Sequence, residues 1–102
     1  MGMKTISSQR LVDPDIVFEK QKAEDYVVMV ATLDLLGKRY RVVIDGHHSL
    51  AAAELDGVKP EFVETTYNYQ SEVDTIGAEQ WLMQHWNDSE WYDVKTGLPV
   101  RW

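Results

Sequence analysis

One stretch constrains this chain more than any other: Tyr40 to Gly57, which reads YRVVIDGHHSLAAAELDG. Tyr40 to Ile44 is β-branched or aromatic except for Arg41, a composition that suits a strand inside a sheet. Asp45-Gly46 breaks the run, because glycine reaches backbone angles closed to β-branched residues. Ser49 to Leu55 then holds three alanines and two leucines, which favours a helix, and Gly57 stands where a helix-terminating glycine belongs. A strand that passes through a glycine into a helix start leaves several backbone N–H groups unpaired. Such groups make an anion site, most often for phosphate, although most junctions of this kind bind nothing.

Ile44-Asp45-Gly46-His47-His48-Ser49-Leu50-Ala51-Ala52-Ala53, with Leu55 and Gly57, resembles the central motif of the ParB/sulfiredoxin superfamily. In that family a strand ends in D-G-H-H-R or G-E-R-R and the helix continues L-A-A-A-x-x-x-G. The resemblance is close over residues 40 to 58 and looser from about Met3 to Val63. It implies a small mixed α/β (α+β) fold whose turn and helix start hold nucleotide phosphates. Its members include CTP-dependent DNA-partition proteins, ATP-using sulfiredoxins, a free-serine kinase and ParB-like nucleases.

The chain departs from the motif at the residue that grips phosphate: the family's arginine falls on Ser49. A serine hydroxyl caps a helix or donates one hydrogen bond. It lacks the charge and the fork of donors that a guanidinium offers. The sulfiredoxin cysteine would fall on His47, and the chain has no cysteine. Sulfinic acid reduction is excluded, because the sulfur nucleophile is missing.

Charge narrows the partners. The formal net charge is -7, and it is unevenly spread. Residues 1 to 60 carry eight basic and nine acidic groups, residues 61 to 102 two basic and eight acidic. Binding to DNA rests largely on neutralising phosphates with Lys and Arg, so a field of this sign repels nucleic acid. The one dense basic patch, Lys38-Arg39 with Arg41, reads as a charged hairpin edge. At 102 residues the chain is one domain. No run approaches the roughly 20 apolar residues of a membrane span. No apolar signal core follows Met1 to Thr5, which is the pattern of a cytoplasmic protein.

Taken in order, Lys4 to Ile6 is a short strand and Ser7 or Ser8 can cap a helical turn. Asp13-Pro14-Asp15 is a turn signal, and Phe18 to Asp25 has helix propensity. Tyr26 to Leu33 reads as a strand covered on both faces, paired in a hairpin with Arg39 to Ile44 through Leu35-Leu36-Gly37-Lys38. Glu61 to Tyr67 alternates as a further strand, and Asn68 to Gly77 reads as polar with a turn near its end. Two segments follow from this reading: a core over residues 1–67 and a C-terminal helix and aromatic tail over 68–102, packed as a single domain. All four tryptophans, Trp81, Trp86, Trp91 and Trp102, lie in the tail. Ala78 to Trp86 is a helix with Trp81, Leu82, His85 and Trp86 near one stripe, and Trp91 to Trp102 is a small hairpin or an extended tail. These rings either pack the tail over the domain or present a partner surface of Trp81, Trp86, Trp91 and Tyr92 with acidic flanks.

Two functional expectations follow. In the first, the Asp45–Ser49 turn binds a nucleotide or phosphate through Gly46, His47, His48 and Ser49. The resemblance implies CTP or ATP with magnesium, and weak phosphohydrolase or phosphotransferase activity with His47 or His48 as general base, since histidine titrates near neutrality. Asp45 can accept from a ribose, a magnesium-bound water or the backbone. The resemblance further implies a small stand-alone accessory protein linked to DNA partition or a mobile element. In the second, catalysis is lost and the acidic, tryptophan-rich part serves as an interaction or inhibitor module. The two adjacent histidines diverge at a helix start and show no metal-ligand spacing.

Overall fold

β-Branched residues dominate the two longest apolar runs, and both are strands in the computed structural model, which describes residues 3–102. Met1 and Gly2, part of the N-terminal stretch expected to lack a signal core, lie outside the described residues. The elements run β1 (Lys4–Ser7), α1 (Pro14–Ala23), β2 (Val27–Leu35), β3 (Lys38–Asp45), α2 (His47–Asp56), β4 (Glu61–Glu64), α3 (Tyr69–Ile76), α4 (Ala78–Gln84) and β5 (Tyr92–Asp93). The strands form one five-stranded mixed sheet in the order β4-β2-β3-β1-β5. β2 and β3 are the expected hairpin, while β1 lies parallel to β3 and β4 parallel to β2. The fold is thus a mixed α/β domain.

Alternation along the strands sorts side chains onto two buried faces. Val28, Val30 and Val43 pack with Leu50 of α2 on one face, and α1 in turn packs on α2. Ile6, Ala31, Leu33, Leu35, Tyr40 and Val42 face the other way and meet Val73 of α3 with Trp81 and Leu82 of α4. Asp56 locks the far end of α2 by accepting from Gln21 Nε2 and Tyr26 Oη, each at 2.7 Å. That hydrogen bond pushes the Tyr26 phenol up to about 12.

Several local expectations are corrected, each by a tertiary contact. Ser7 and Ser8 cap no helix; both are buried, and Ser8 Oγ donates to the His85 carbonyl at 2.8 Å. Asp13-Pro14 is a helix start rather than a free turn, with Asp13 Oδ1 accepting from Asp15 N–H and Pro14 leading the first turn. The helix expected over Phe18–Asp25 therefore begins earlier and ends at Ala23. The strand from Glu61 stops at Glu64, whose carboxylate turns back to accept from Thr32 N–H at 2.7 Å. The polar stretch after Asn68 is helical: Asn68 Oδ1 caps Ser71 N–H, and Val73 supplies a buried anchor among polar neighbours. The tail is built into the sheet, since β5 pairs antiparallel with β1 and Tyr92 bridges to Pro99.

Trp81 carries the second face. It has no exposed surface, it stacks on the His85 ring at 4.1 Å between centroids, and its Nε1 donates to Glu72 Oε1 at 3.1 Å. Tyr67 also donates to the Glu72 carboxylate, and these two donors hold Glu72 below the usual carboxylate range. Truncation of Trp81 to alanine is expected to cost about 3–5 kcal/mol in urea unfolding monitored by circular dichroism. Trp86→Ala, at a site 55% exposed, is expected to cost no more than about 0.5 kcal/mol. Equal losses would contradict the placement of α4.

Candidate functional site at the start of α2

The turn between β3 and α2 is fixed by how closely it crosses β2. Gly46 has φ +93°, and a Cβ there would stand 2.7 Å from the Val27 carbonyl oxygen and 3.0 Å from Val28 Cα. Both the backbone angle and the contact demand glycine. Asp45, among its possible partners, takes the nearest, with Oδ1 accepting from Gly46 N–H at 2.8 Å.

α2 starts without a cap. Gly46 occupies the N-cap position and offers no side chain; the first turn closes through Leu50 N–H to the Gly46 carbonyl at 2.9 Å. The N–H groups of His47, His48 and Ser49 have no hydrogen-bond partner among the described residues. Together with the helix dipole they give this end a partial positive charge. They border a cleft of about 390 Å³ whose walls include Lys20, Gln9, Ile16 and Asn87.

The four residues singled out from sequence are thus together, but their side chains do unequal work. His48 Nε2 accepts from Asp13 N–H at 3.1 Å, so the ring carries its proton on Nδ1 and is tied to the start of α1. Ser49 is buried, and its hydroxyl donates to Asp25 Oδ1 at 3.3 Å rather than facing a ligand. Asp25 Oδ2 pairs with Lys20 Nζ at 3.0 Å. The Lys20 hydrogen bond, then Val27 N–H, and more weakly Ser49, hold Asp25 below its ordinary value. His47 is half-buried, and its Nε2 is sealed from solvent without a partner among the described residues. Desolvation pushes the His47 pKa down, against the opposing pull of Asp45 and Asp88. A histidine held neutral at pH 7 accepts a proton or donates one hydrogen bond; it does not supply fixed charge.

Lys20 and Asp25 escape the sequence reading. They lie on and just after α1, far along the chain from the turn, and no spacing rule connects them to it. The expected partner surface is dispersed. Trp81 is interior, which corrects its place on that surface, because an indole without exposed area meets no partner. Trp91 is half-buried and donates through Nε1 to the Leu82 carbonyl at 2.9 Å; Tyr92 is half-buried and donates to the Gln9 carbonyl at 3.1 Å. Trp86 remains exposed. No helix among the described residues is long and apolar enough to cross a membrane. Comparison of the chain with protein-family models, with curated proteins and with solved structures returns no match.

The crossing at Gly46 is separable from its backbone angle. Gly57 also has positive φ, +67°, but open space where a Cβ would lie. Gly57→Ala is expected to cost about 1–2 kcal/mol, and Gly46→Ala more, roughly 2–4 kcal/mol, by denaturant unfolding. Equal costs would mean that the turn does not press on β2. His47 supplies a pH prediction. Its native pKa lies below the unfolded value, so between the two the unfolded chain binds more protons. Stability is then full above about pH 6.5 and falls as pH drops through that value. Asp25, Asp56 and Glu72 are shifted the other way relative to the charge they carry, and their contributions are lost only below about pH 4. His47→Gln is expected to flatten the upper limb of the acid profile and leave the lower one, as read from melting temperature against pH.

Proposed function

We propose that the Asp45–Ser49 turn binds the phosphate of a nucleotide, with CTP or ATP and magnesium as the ligands implied by the ParB/sulfiredoxin resemblance. The observation that carries the reading is the uncapped start of α2: unpaired N–H groups of His47, His48 and Ser49 border a cleft in which Lys20 stands. Backbone amides at a helix start and a point cation are a sufficient pair for a phosphate without an arginine. Lys20 thereby takes over part of the role the missing arginine plays in the motif. Its charge is shared with Asp25, which makes the site weaker than one built on a free cation.

Of the two histidines, His47 is the candidate general base, through Nδ1, because its own Nε2 is sealed from solvent and the Nε2 lone pair of His48 is already used by Asp13 N–H. Phosphohydrolase or transfer activity is a secondary part of the proposal. The wider context, an accessory protein linked to DNA partition or a mobile element, rests on the resemblance alone.

A second reading, a protein-interaction module, draws on Trp86 and Met83, which are 55% and 66% exposed near the end of α4. Tryptophan is a favoured interface anchor. With Trp81 in the core and Trp91 and Tyr92 bonded to backbone carbonyls, that surface is smaller than the composition of the tail suggests.

A thermal-shift panel of CTP, ATP, GTP and their diphosphates, with and without magnesium, tests the nucleotide reading. A ligand at ten times its Kd adds about 1.4 kcal/mol, roughly 5–10 °C in Tm for a domain of this size. The rise is expected for at least one nucleotide and is expected to shrink in Lys20→Ala. A flat panel at millimolar ligand would overturn the reading and leave the exposed Trp86 surface as the question.

A further inference from the structure

A second groove lies away from the turn, on the same face of the sheet as α2. Leu50 and Glu54 of α2 form one wall, Phe62 of β4 and Val94 after β5 the others, and the space holds about 590 Å³. Its floor continues the smaller apolar cluster of Val28, Val30, Val43 and Leu50, against which Phe62 and Val94 pack. Lysines stand on opposite flanks: Lys59 precedes β4, and Lys95 follows β5.

The charges here run against the rest of the molecule. In a chain of net charge -7, residues 61 to 102 have only two basic groups, and one of them, Lys95, is at this groove. Lys20, Lys22 and Arg39 each form an ion pair, whereas neither Lys59 nor Lys95 does among the described residues. Arg41 adds a third cation beside the groove, with its guanidinium 4.6 Å from the centroid of the Phe62 ring. The wall also holds one acid, Glu54, set against three cations.

We propose that this groove binds an amphipathic organic carboxylate, its apolar body on Leu50, Phe62 and Val94 and its carboxylate held by Lys59 or Lys95. The volume lies within the roughly 300–1,000 Å³ of small-molecule pockets. The two unpaired lysines favour an anionic over a neutral or cationic ligand. The site is separate from the start of α2 and stands whether or not nucleotides bind there.

The test uses the whole chain, labelled with 15N, and three probes that share one tail: octanoate, octanol and octylammonium. Octanoate is expected to give saturable amide shifts at Thr5, Lys59, Val94, Lys95 and Gly97. Octanol is expected to bind about fivefold more weakly, and octylammonium more weakly still. In the double variant Lys59→Glu with Lys95→Glu the preference is expected to reverse towards octylammonium. Both positions are exposed, and the neutral pair Lys59→Gln with Lys95→Gln, expected to bind the three probes alike, guards against a folding defect. No saturation by octanoate, equal affinity for all three probes in the native chain, a ranking unchanged in the double variant, or shifts confined to residues 45–49 would each overturn the proposal.

Discussion

The sheet has two apolar faces, and everything else in the structure follows from the need to cover both. Helix α2, backed by α1, covers one, with Leu50 driven against Val28, Val30 and Val43. The second is closed by Trp81, a side chain large enough to span the gap between the β2–β3 hairpin and α3. Its burial leaves one polar atom to satisfy, and Glu72 does so while remaining near solvent. The same carboxylate accepts from Tyr67, so the segment entering α3 and the body of α4 are tied through a single group. The C-terminal segment is therefore structural in its first half, whatever its exposed residues do.

The other dependence runs through Gly46. A strand that must deliver its chain across a neighbouring strand, 2.7 Å from a backbone carbonyl where a Cβ would stand, has room only for hydrogen. The crossing sets the direction in which α2 leaves the sheet and so points its first N–H groups at the cleft beside α1. Around that start the polar side chains are mutually occupied: His48 with Asp13 N–H, Ser49 with Asp25, Asp25 with Lys20. These bonds stiffen the junction and hold Lys20 at the cleft. They also keep the turn defined, since Ser49 packs inside rather than reaching out.

Much of this was legible in the chain. The strand, glycine and helix over Tyr40–Gly57 follow from local composition, because β-branched residues, a glycine turn and an alanine-rich run each favour one backbone state. The hairpin of β2 with β3 follows from two apolar runs separated by a glycine turn. Less legible was α3, since Tyr69 to Ile76 has a single buried anchor, Val73, and polar residues that read as loop until Asn68 is seen to cap them. Asp13-Pro14-Asp15 reads as a turn, and only the Asp13 cap and the packing of α1 on α2 show it to be a helix start. Ser7 and Ser8 have the chemistry of caps, yet Ser7 ends β1 with its hydroxyl accepting from Gln9 N–H, and the Ser8 hydroxyl is spent on the chain around residues 85–87.

By itself the sequence determined the fold class, the central junction and the residues gathered at its turn, because those depend on contacts between near neighbours in the chain. It also determined the sign of the electrostatic field, which needs only a count. The tertiary structure decided which way the side chains of that junction face, that Lys20 and Asp25 join them, and that Trp81 belongs to the interior while Trp86 does not. Those outcomes depend on residues distant in sequence competing for the same space and the same hydrogen-bond partners. No periodicity or spacing along a single chain encodes which of them wins.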